Sequence, residues 1–128
     1  MPHLTVHALE SDLAGRESEL IAALTDAVVA VYGEWAREIA EVRLVGVPAG
    51  RWGIGGKQAE DPAPSVTFGV KDIAFTRPDS DRIVARLISG VTDAIAGVVG
   101  ERVRPRVAVD LVSMPTGRSG VGGVVITS

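Results

Sequence analysis

The second residue is a proline, and its position gives it a chemistry that no internal proline has. A small second residue favours removal of Met1, and the mature chain would then open on a free secondary amine. That amine can take a proton as a general base, or attack a carbonyl, once its pKa falls toward neutrality. Burial has this effect because the charged form loses its hydration, and proton transfer is most efficient with a pKa near the working pH. His3 stands beside Pro2 and could border the same pocket. Other chemistry is scarce. The chain has no cysteine, hence no thiolate nucleophile, no disulfide and no cysteine-based metal site. His3 and His7 are the only histidines, and nothing near them has zinc-motif spacing, so no metal site is expected. The stretch Gly53-Ile54-Gly55-Gly56-Lys57 invites a nucleotide reading that fails in detail. A P-loop needs a glycine where Arg51 stands and a Ser or Thr where Gln58 stands. Gln58 also occupies the last glycine of the dinucleotide fingerprint, so no cofactor is expected.

Composition narrows the partners. The formal net charge is -3 with both signs interspersed, which leaves no basic patch for nucleic acid or for a membrane surface. No apolar run approaches the roughly 20 residues of a spanning helix, and the N-terminus lacks a signal peptide's charged and apolar segments. A soluble cytoplasmic protein is the expectation. The 128 residues suit one domain with a modest core. Five aromatics leave that core to Val, Ala, Leu and Ile.

The elements that must position Pro2 are written twice. Residues 24–34 match 91–101, and 42–56 match 109–123, both at an offset of 67. Pro48, Gly50, Arg51, Gly53, Gly55 and Gly56 recur as Pro115, Gly117, Arg118, Gly120, Gly122 and Gly123. The opening Pro2-His3-Leu4-Thr5-Val6 recurs as Pro64-Ser65-Val66-Thr67-Phe68 at an offset of 62, leaving about five extra residues between strand and helix in the second copy. Such a repeat outranks local propensity. The chain reads as one domain, 1–128, made of a first β-α-β unit over 1–58 and a second over 64–128.

Each unit reads as strand, helix, strand and glycine-rich hairpin. Leu4, Val6 and Ala8 alternate with His3, Thr5 and His7, the period of a half-buried strand. Leu20, Ala23, Leu24, Ala27, Val28 and Val31 fall at helical spacing over about 18–32, and Gly33 reads as the stop. Residues 42–47 read as the second strand, turned by Pro48 and Gly50; the other unit repeats this as strand 66–70, helix 80–99 and strand 107–114. Residues 57–63 read as a polar linker. Two strands joined by a crossover helix pair in parallel. The expected fold is therefore α+β, a four-stranded sheet with both helices on one face. The other face would be bare, lined by Leu, Val and Phe, and would drive oligomerisation.

Pro2, the His7-Ala8-Leu9-Glu10 end of the first strand and Arg51-Trp52-Gly53-Ile54-Gly55-Gly56 together resemble the tautomerase superfamily, founded on 4-oxalocrotonate tautomerase. The resemblance spans nearly the whole chain and is closest to the long, fused members. It implies a homotrimer and a cofactor-free isomerase moving a proton on a small 2-oxo or enol acid. Pro2 would be the base. Arg43 would polarise the substrate, although an ungapped alignment from Trp52 puts Glu41 at that place. Trp52 would make the pocket apolar. The family's arginine after the first strand falls on Asp12, with Arg16 four residues on as a substitute, and a carboxylate there would repel an acidic substrate. Arg51 and Arg118 recur in both units, which favours a structural role, with anion binding as the alternative. Pro64 sits at the matching point of the second unit, but its amide nitrogen cannot be a base, and Ser119 replaces Trp52 there. His7 reads as structural. The other activities implied are a hydratase, dehalogenase or decarboxylase using charged Pro2 as an acid, or a non-enzymatic ligand-binding trimer.

Overall fold

The computed structural model describes residues 2–71 and 75–126. Strand β1 (His3–Leu9) is followed by one helical turn, α1 (Glu10–Leu13), and the long helix α2 (Glu17–Tyr32). Strand β2 (Glu41–Val47) leads into a small hairpin of β3 (Gly53–Ile54) and β4 (Lys57–Gln58). The second unit repeats the plan with β5 (Ser65–Lys71), α3 (Ser80–Val99), β6 (Ala108–Met114) and the hairpin β7 (Ser119–Val121) and β8 (Val124–Ile126). The linker expected over 57–63 is shorter than its composition suggested, because Lys57 and Gln58 close the first hairpin. Short 3-10 segments at Glu34–Ala36 and Glu101–Arg106, unmarked by periodicity, carry the chain from each helix to the next strand. Residues 72–74, in the insertion of the second copy, lie outside the described part.

The strand order is β2-β1-β5-β6. Each unit pairs its own two strands in parallel, and the units join through antiparallel β1 and β5. Strand alternation turns Leu4, Val6, Val66 and Phe68, all 0% exposed, toward the helices. Leu20, Leu24 and Val28 of α2 and Leu87, Val91 and Ile95 of α3, spaced four apart, meet them there as one core. Both helices stop at a glycine with positive φ, 110° at Gly33 and 135° at Gly100, a conformation that side chains resist. The duplication reaches the surface ion pairs. Arg37 binds Asp26 and Glu34, and Arg104 binds Asp93 and Glu101.

The open sheet face departs from expectation in part. It carries His3, Thr5, His7, Glu41, Arg43, Thr67, Lys71 and Asp110 on the same alternation as the apolar Leu9, Val45, Val47, Val112 and Met114, and no Phe. The reason is the period of two: the layer of helices takes Leu4, Val6, Val66, Phe68 and Val70 of the central strands, and mostly polar positions fall opposite.

Candidate active site

The antiparallel join determines what Pro2 meets. His3 stands opposite Gly69, so the start of β1 lies beside the end of β5. Lys71 in turn pairs with Met114, so the end of β6 and the hairpin that follows reach the same corner. A cavity of about 410 Å³ opens there. Pro2, His3, Glu41, Arg43, Lys71 and Arg118 line it. The apolar Ile39, Met114, Pro115, Val121 and Ile126 line it as well, and so does Ser119.

Pro2 is buried, and its carbonyl accepts the Glu41 N–H at 3.1 Å. The carbonyl of Pro64 accepts the Ala108 N–H at 3.3 Å, the same bond in the other unit. His3 is half-buried and leans across the sheet into the space over Gly69, where an added Cβ would collide with the imidazole. Glu41 and Arg43 point to one sheet face and pair with each other, Nη2 to Oε2 at 2.8 Å. Both side chains stay more than half exposed, 58% and 60%. An exposed pair of this kind contributes about 0–1 kcal/mol. Arg43 can therefore exchange Glu41 for another carboxylate at little cost. Three cationic side chains, Arg43, Lys71 and Arg118, against one carboxylate make the cavity attractive to an anion.

No protein-family profile matches the chain, and no curated protein does. Solved structures match over nearly its full length. A fused 4-OT wild type, an asymmetric trimer, superposes with a TM-score of 0.81 at 24% identity, covering 96% of this chain and 94% of that one. Native fused 4-OT gives 0.79 at 26% identity with the same coverage, 96% and 94%. Pt0534 inactivated by 2-oxo-3-pentynoate gives 0.72 at 23% identity, again over 96% and 94%. The chain has the tautomerase-superfamily fold in its fused, two-unit form.

Within this fused tautomerase fold, Pro2, His3 and Arg43 come together, and the choice between Arg43 and Glu41 dissolves because both line the cavity. Arg51, Trp52 and Arg16 are not part of it. Leu9 pairs with Val47, so the first hairpin leaves the sheet at the end of β1 opposite Pro2. Six residue steps separate the two ends, roughly 20 Å along the strand. Trp52 is half-buried in its own hairpin, where its carbonyl accepts the Ala59 N–H at 2.7 Å. The guanidinium of Arg16 donates to the Asp12 carbonyl at 3.2 Å, also at that far end. His7 is exposed on the open face.

Asp12 requires a correction. Its carboxylate does not face the cavity of Pro2. It is buried, 6% exposed, beyond the far end of β1, and its Oδ1 pairs with Arg102 Nη2 at 2.8 Å. This bond, before all other causes, raises the Arg102 guanidinium above its ordinary value. The repulsion expected between Asp12 and an acidic substrate therefore has no place in the Pro2 pocket. Because β1 and β5 pair antiparallel, the end of β1 lies beside the start of β5 and away from Pro2. Sequence reasoning missed Lys71 and Met114 for the same reason. The available signal was the duplication: each residue of the first hairpin names its twin in the second, which is the hairpin that reaches Pro2.

Proposed function

We propose that the protein is a cofactor-free isomerase, a tautomerase that moves a proton on a small 2-oxo or enol acid with Pro2 as general base. The observation that carries this reading is the placement of Pro2 in a cavity with three cationic side chains. After loss of Met1, burial and the nearby cations Arg43, Lys71 and Arg118 all disfavour the charged amine. The neutral amine takes the hydroxyl proton of the enol as the C=O bond forms and the C=C electrons shift toward carbon. The same proton then returns to carbon, so nothing is consumed. Arg43 holds the carboxylate or the oxygen on which charge develops, with Arg118 and Lys71 adding to that field. The trimeric fused 4-OT neighbours support a homotrimer, which we include in the proposal.

The test begins with intact mass, which should show loss of Met1. Ketonisation of phenylenolpyruvate and of 2-hydroxymuconate should then fall at least about 100-fold in Pro2→Ala, the usual range for a removed general base. Wild-type turnover in that variant would sink the reading. 2-Oxo-3-pentynoate should label Pro2 covalently. Glu41 favours the opposite polarity, since a carboxylate in the cavity stabilises the charged amine. Pro2 would then act as an acid, in hydration, dehalogenation or decarboxylation. The pH–rate profile separates the two. Activity rising through neutral pH supports the base, and activity lost there supports the acid.

A further inference from the structure

The two hairpins are copies of one another, and Arg51-Trp52-Gly53 in the first corresponds to Arg118-Ser119-Gly120 in the second. The backbone turns match as well. Arg51 N–H donates to the Pro48 carbonyl at 3.1 Å, and Arg118 N–H donates to the Pro115 carbonyl at 3.2 Å. Antiparallel pairing of β1 with β5 crosses the units over, so the hairpin beside Pro2 belongs to the other unit. The tryptophan therefore sits on the hairpin remote from Pro2, and the serine lines the cavity. The twin of a large aromatic has been replaced by one of the smallest side chains at the place where it decides how much room a substrate has.

We propose that Ser119 determines specificity, and that the cavity takes a 2-oxo or enol acid with one carboxylate and a bulky apolar tail, aryl or branched aliphatic. This rests on the proton-transfer reading above for the 2-oxo headgroup, and on the cavity for the tail. The carboxylate end lies at Arg43 and Arg118 beside Pro2. The tail lies along Ile39, Met114 and Val121, in the room left by Ser119. The volume, about 410 Å³, falls in the range of sites for sizeable small molecules, about 300–1,000 Å³. A three-carbon acid would leave most of it unfilled. A short dicarboxylate would bring a second charge toward the apolar residues of the lining, where burial without a partner is costly.

The experiment is a ligand-detected NMR titration of the purified full chain with phenylpyruvate and with pyruvate, alongside light scattering for assembly. Wild type should bind phenylpyruvate at least ten-fold more tightly than pyruvate. Ser119→Trp should weaken phenylpyruvate at least ten-fold and leave pyruvate within three-fold, with Ser119→Leu between the two. Should Ser119→Trp fail to assemble, Ser119→Leu decides on the same criterion. Equal affinities in wild type, an unchanged phenylpyruvate affinity in the variants, or equal losses for both acids would overturn the proposal. If wild type shows the expected preference yet turns over neither enol form, the proton-transfer reading falls and the assignment of Ser119 stands.

Discussion

Replacing Arg102 by methionine should cost more stability than replacing Asp12 by asparagine, although both changes break the same ion pair. Asp12 is 9% exposed at its side chain, whereas Arg102 is 48% exposed and also reaches Asp61 at 3.4 Å. Among the described residues Asp12 Oδ2 has no hydrogen-bond partner, so Arg102 is the main compensation for a buried charge. Removing one partner of a fully buried pair costs about 3–5 kcal/mol. Solvent already screens the half-exposed arginine, which lowers the expectation for Arg102→Met to about 1–3 kcal/mol. Asp12→Asn removes the buried charge and keeps an acceptor for Arg102, so about 1 kcal/mol is expected. Urea unfolding at matched protein concentration measures both, since assembly adds to apparent stability. An Asp12→Asn cost as large as that of Arg102→Met would refute this account. Turnover per folded chain should not change in either variant, because the pair lies at the end of β1 away from Pro2.

Phe68 is fully buried in the core, and Phe68→Ala should cost about 3–5 kcal/mol in the same urea assay. Gly69→Val should push the His3 imidazole off the sheet. Loss of its NMR contacts to residue 69 would show this directly, and an unmoved imidazole would contradict the packing. Arg43→Gln should raise KM for enol acids more than ten-fold, because a charge-assisted bond contributes about 1.5–3 kcal/mol. Light scattering of the purified chain should give three times the monomer mass, and a monomer would remove the proposed trimer.

Much of the fold was legible. Helices over 18–32 and 80–99 were expected from apolar spacing, and the structure has them at Glu17–Tyr32 and Ser80–Val99. The strands agree to within a residue at each end, because alternation and glycine stops are local signals. The face of each strand was legible too, but what covers it was not. Leu, Val and Phe were assigned in part to a bare face that in fact mixes polar residues with valines and has no Phe. At the site, Pro2 and His3 could be named from type and position, and Arg43 only through the family resemblance. Lys71 and Met114 could not, since nothing near them in sequence marks the corner they share with Pro2.

The sequence alone determined the repeating unit and its element types, and it shows a proline directly after Met1. Those are properties of neighbours along the chain. Only the tertiary structure decided that the two copies run antiparallel at β1 and β5. That pairing is a long-range choice with no local signature, and it exchanges the hairpins. It gives Pro2 a serine where its own unit carries Trp52, and it removes Asp12 from the site to an ion pair with Arg102.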